Sequence, residues 1–204
     1  MTRGISTIVL LFAAVLGFSA GCSSDPSPAD GNTQCQPFTP CGGDFTGAWR
    51  LTESCLSATE AQKLEQSFEF CAQGTAQVSA TQTGTAVFEA GGSSLQLDAT
   101  VVLLVRTSFP TSCLGASQTC ASVAAADAAR PGVTRANCRD TPTGCSCEID
   151  LKQASKRQLS YAKAGPTTLT ETDPTDGSVS SIGYCVEGKT LRLQDDSGTF
   201  SLKR

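Results

Sequence analysis

Apolar and polar residues alternate with period two from Asp44: Phe45, Gly47, Trp49, Leu51 and Glu53 share one face, and Thr46, Ala48, Arg50 and Thr52 the other. This predicts a strand whose Trp49 and Leu51 face a core. Ser57-Ala-Thr-Glu60 then fits a capping box, in which the Ser hydroxyl and the Glu carboxylate satisfy each other's orphan backbone donors at a helix start. Leu56, Ala61, Leu64 and Phe68 give that helix one apolar stripe. After Gly74 the pattern predicts strands over 75–82, 84–90 and 94–106, the middle pair being hairpin partners. The run Leu95 to Val105 alternates at first and then becomes continuously apolar, which predicts a central strand covered on both faces and stopped by Pro110.

Residues 111–145 hold four cysteines, an alanine-rich piece from Ala121 to Ala129, and Pro131-Gly132, which predict a short helix inside a long disulfide-pinned insertion. Long connections are often functional, so a binding surface is sought there, against the alternative of a stapled excursion. Strand signals resume over 147–154, 158–163, 167–172, 178–187, 189–195 and 198–203. Gly165-Pro166, Asp173 to Gly177, Glu187-Gly188 and Asp195 to Gly198 supply turns. Eight to ten short strands with one or two short helices predict a mainly all-β fold, an antiparallel up-and-down β-barrel whose closure removes exposed edges.

The N-terminus carries a different pattern. Thr2 and Arg3 precede an apolar run from Ile5 to Leu16, too short to cross a bilayer, and then small residues, which together describe an export signal over 1–21. Ser19-Ala20-Gly21-Cys22 resembles the lipobox of bacterial lipoproteins. That resemblance implies that Cys22 becomes the lipidated first residue, carrying acyl chains such as palmitate, with ordinary cleavage near Ala20 as the alternative. Residues 22–40, rich in Ser, Pro, Asp and Gly, cannot bury enough surface to offset ordering and read as a flexible tether to a domain over 41–204. Ser23, in place of aspartate, is what families of this kind carry when sorted to the outer membrane.

Among 204 residues there are 15 basic, 19 acidic and no histidine, and no basic stripe for a nucleic-acid backbone. With Cys22 assigned to the anchor, ten cysteines remain: Cys35, Cys41, Cys55, Cys71, Cys113, Cys120, Cys138, Cys145, Cys147 and Cys185. An even number in an exported chain reads as up to five disulfides. Cys113 with Cys120, as a local loop closure, and Cys147 with Cys185, across neighbouring strands, are the two pairings expected. A metal site is the lesser alternative, because Cys145-Ser-Cys147 lacks the usual zinc-knuckle spacer; no metal or cofactor is assigned.

Phe45-Thr-Gly47-Ala-Trp49-Arg-Leu51, a G-x-W in the first strand, with the hairpins and the closing Tyr184 to Leu193, resembles the lipocalin-like (calycin) barrels, particularly those of exported bacterial lipoproteins. The resemblance implies a tryptophan plugging a closed end, an open end that takes a small apolar ligand, and a packing arginine for which Arg192 and Arg204 are candidates.

Without histidine, Ser-His-Asp and Cys-His chemistry is excluded. Glu148 with Asp150 on one strand face, and Asp195-Asp196 in a turn, are the carboxylate pairs that glycoside hydrolysis would need, but solvent-facing and turn-forming roles account for them. The expectation is a non-catalytic, lipid-anchored envelope protein that binds a small apolar ligand or serves a structural role. The alternative is a protein-facing module such as a periplasmic protease inhibitor.

Overall fold

The computed structural model describes residues 38–90 and 93–204. The export signal, Cys22, Cys35 and most of the tether lie outside them. Nine strands form one antiparallel sheet: β1 Gly47–Leu56, β2 Thr75–Phe88, β3 Ser94–Pro110, β4 Val133–Thr141, β5 Gly144–Lys163, β6 Thr168–Thr172, β7 Val179–Glu187, β8 Thr190–Asp195 and β9 Gly198–Lys203. Two helices accompany them, α1 Ala58–Phe68 and α2 Cys120–Ala128. The hydrogen-bonded order is β3-β2-β1-β9-β8-β7-β6-β5-β4, with a further β3–β5 pairing that closes eight strands ring-like and leaves β4 outside. The expected mainly-β antiparallel fold is therefore present, with one departure from up-and-down order at β4.

Strand lengths explain the shape. β1 pairs with β2 only over Gly47–Leu51 and stays with β9 to Leu56, whereas β2 continues along β3 for its whole length. β5 pairs with β3 from Gly144 to Ser160, with β4 along its first half and with β6 only over its last four residues. The sheet thus splits at Gly84 on one side and near Ser160 on the other, and β2, β3, β5 and β4 overhang the ring. Gly84 makes the split feasible: its φ is 155°, and a Cβ there would lie 2.1 Å from the Asp98 carbonyl oxygen.

Two cores follow. The ring encloses Trp49, Leu51, Phe88, Leu159, Leu169, Leu191 and their neighbours, and the overhang packs Phe109, Val123 and buried cysteines beneath α2. Four disulfides are defined, Cys41–Cys185, Cys71–Cys113, Cys120–Cys145 and Cys138–Cys147, and Cys55 is oxidised as well. Both expected pairings are corrected. Cys138 and Cys147 are direct register partners on β4 and β5, while β6 separates β5 from β7 and Cys147 sits on the overhang, away from Cys185. Cys185 instead meets the chain entering at Cys41, where Gly42 forms a parallel bridge to it. Cys113 turns to the segment after α1, and Cys120 faces β5 from the first turn of α2.

Other expectations need revision. The strands expected at 75–82 and 84–90 are one continuous β2, those at 147–154 and 158–163 are one β5, and the insertion 111–145 contains β4 besides its helix. β3 is flanked by strands on both sides, but its outer face is not covered: Val102 is 40% exposed. At α1, Ser57 accepts from the Glu60 amide, yet its own amide donates to the Ser197 carbonyl, so only half the expected box forms. The reciprocal box occurs at Thr119 and Ser122, which start α2.

Candidate functional site

The ring has a closed end and an open end. At the closed end Trp49 is 1% exposed, its Nε1 donates to the Phe45 carbonyl at 2.6 Å, and Phe45 meets Phe88, Tyr161 and Tyr184 edge to face. The Arg204 guanidinium lies 4.2 Å from the Trp49 ring centroid and donates to the Thr46 carbonyl. Gly47 sits beside the same guanidinium. Of the two candidate arginines, Arg204 therefore occupies the position against the tryptophan, carried there because β9 is hydrogen-bonded to β1.

Side chains fill most of the ring, and a small void of about 30 Å³ lies among them. That is room for a water molecule or two. Leu51, Ala86, Leu97, Ala99 and Leu193 are among its lining residues, together with one carboxylate, Glu171. Glu171 is 3% exposed, and its Oε2 has no hydrogen-bond partner. Burial pushes its carboxyl from 4.5 up to about 7, with Arg157 opposing and Asp195 and Asp173 adding to the rise. Arg157 is held by Asp173. Asp195 accepts from the Ser197 amide and hydroxyl and from the Gly198 amide; burial raises its carboxyl despite those bonds.

A larger cleft of about 440 Å³ lies over the open end. Its floor is formed by Val101 and Leu103 of β3 with Leu151 and Gln153 of β5, and its walls by Phe68 of α1 and the Arg130–Gly132 segment after α2. Val101 is opposite Gln153 and Leu103 opposite Leu151, and they continue the face that carries Leu95, Leu97 and Ala99 inside the ring. Arg130 is fixed by its ion pair with Asp127 at 3.1 Å, and Asp127 is itself buried with its carboxyl raised by desolvation. The insertion thus contributes a wall of the cleft, while α1 and the split strands supply the rest.

The carboxylate pairs are placed elsewhere. Arg135 bridges Glu148 at 2.5 Å and Asp150 at 2.8 Å, and Arg106 approaches Glu148 at 3.5 Å, so these acids form an ion-pair ladder across β3, β5 and β4 on the outer face. Asp195 caps its own turn. Two groupings bring cysteine sulfurs and a carboxylate together, Cys41 and Cys185 with Glu187, and Cys120 and Cys145 with Asp140. Their sulfurs are joined in disulfides and offer no thiolate to a metal. Among the described residues no helix is long and apolar enough to cross a membrane.

Sequence reasoning missed Glu171. Its one signal is an acid at an inward position of a strand, between Leu169 and Asp173 in the alternation. Comparison with family models, with curated proteins and with solved structures finds no match for this chain.

Proposed function

We propose that this chain is an exported, lipid-anchored, non-catalytic lipocalin-like protein that binds a small apolar ligand, and that the ligand occupies the cleft above the ring rather than the ring itself. The observation that carries this reading is the contrast between a ring interior filled down to about 30 Å³ and an adjoining apolar cleft of about 440 Å³, within the range of small-molecule sites. The Gly47-x-Trp49 motif with Arg204 stacked on the indole supports the lipocalin-like assignment. The anchor is Cys22, in the segment outside the described residues.

Binding of the fluorescent apolar probe Nile red tests the site. Leu151→Trp fills the cleft floor and abolishes the fluorescence gain, while Val102→Trp on the exposed outer face leaves it unchanged. Equal binding by wild type and Leu151→Trp overturns the assignment. Cys22→Ser releases the protein from membranes; unchanged membrane partitioning removes the anchor. A second reading, a protein-facing module, draws on the three disulfides gathered around α2, which make a rigid surface at one end. A stoichiometric complex with a secreted protease would favour it.

A further inference from the structure

Resting on the cleft reading, we infer that the ligand is an amphipathic amine, its apolar body in the cleft and its cationic head in the small void against the unpartnered carboxylate oxygen of Glu171. The void and the cleft adjoin. Ala99 lines the first and Val101 the second, two residues apart on the same face of β3, a step of about 7 Å along a strand. Gln82, opposite Val101, lines the void from β2.

The void matches the size of an ammonium group, and the one carboxylate in its wall is that of Glu171. Apolar side chains surround that acid, so Oε2 lacks the hydrogen bond that buried polar atoms almost always have. A bound donor supplies it. The charged groups around Glu171 are of both signs: Arg157 on β5, which ion-pairs with Asp173, is the strongest of them and opposes a second cation, while Asp195 at the end of β8 and Asp173 just after β6 favour one. Tyr161, opposite Glu171 on β5, donates its hydroxyl away to the Glu89 carbonyl.

Displacement of Nile red by dodecylamine, dodecanol and dodecanoate separates the possibilities. Dodecylamine is expected to bind most tightly at about pH 8, because Glu171, with its carboxyl near 7, is then ionised. Its affinity should fall about 30-fold by about pH 5.5, where the carboxyl must give up its proton to accept the ammonium. Dodecanol should show no such dependence. Glu171→Gln should remove the amine's preference and its pH dependence while dodecanol still displaces the probe, which also reports that the variant is folded. If dodecanol binds but the amine has no advantage, or its wild-type affinity is flat with pH, the amine inference is overturned and the cleft reading stands. Failure of all three to displace the probe from wild type overturns the cleft reading itself.

Discussion

Replacing Glu171 by Gln isolates the energetic consequence of burying an acid inside the ring. The carboxyl titrates at about 7 in the folded protein and at 4.5 when free of its surroundings. Between those values the folded state binds more protons than the unfolded state, so the free energy of unfolding falls as pH rises through that window. The whole shift corresponds to about 3 kcal/mol, most of which is lost between about pH 5 and pH 8. The neutral amide has no such term. Asp195, whose burial also raises its carboxyl, titrates in the same direction, and Asp173, lowered mainly by the Thr175 amide, in the opposite one. Both remain in the variant, so the difference between the two proteins reports Glu171. Urea unfolding of wild type and Glu171→Gln across this range should give midpoints that converge at low pH and separate, with the variant favoured, by about 1 M at high pH for a slope of roughly 2 kcal/mol/M. Parallel profiles would refute the reasoning and place the carboxylate in contact with water.

Arg204→Ala removes both the contact on the Trp49 ring and the hydrogen bond to Thr46; it should lower stability by about 1 kcal/mol and shift Trp49 emission to the red, and unchanged emission would mean the indole is sealed without it. Cys41→Ala combined with Cys185→Ala opens a closure of 144 residues, with an entropic cost of up to about 5 kcal/mol that the three disulfides inside that loop reduce; an unchanged thermal midpoint would contradict the chain-entropy account.

Most of the ring was legible because its strands bury one face. Phe45, Trp49 and Leu51 are all buried as their alternation requires, and the pattern ends where the register shifts between Leu51 and Glu53. The last four strands, with Gly188 and Gly198 at their turns, agree with their expected bounds to within a residue. The overhang was only partly legible: β3 and β5 bury alternate residues there, among them Val105, Phe109, Cys147 and Ile149, but β4 buries none. β4 reads Val-Thr-Arg-Ala-Asn-Cys-Arg-Asp-Thr and has no apolar face, being held by backbone pairing, a disulfide and the Arg135 ion pairs instead. The gap between the two strands expected in β5 falls on Ser155-Lys156-Arg157, where polar residues interrupt the apolar alternation and Arg157, an inward residue, is held by Asp173. Pairing of the cysteines depends on which strands adjoin, a relation that no local pattern carries.

The same logic connects the split in the sheet to the proposed site. Were the ring to continue past Gly84 and Ser160, the inward positions of β2, β3 and β5 would be enclosed, and Gln82 and Gln153 would be left without solvent. Their polarity is tolerated because β1 and β6 part from their neighbours at this level, so the inward face opens into the cleft. Glu171 is the exception: it lies below the split, on the short β6, where the leucines around it exclude water. An unpaired buried carboxylate is costly, and a neutral side chain of similar size would relieve that cost without altering the packing. The acid is therefore poorly accounted for by stability, whereas its place between a filled ring and an open cleft suits a contact completed by a bound molecule.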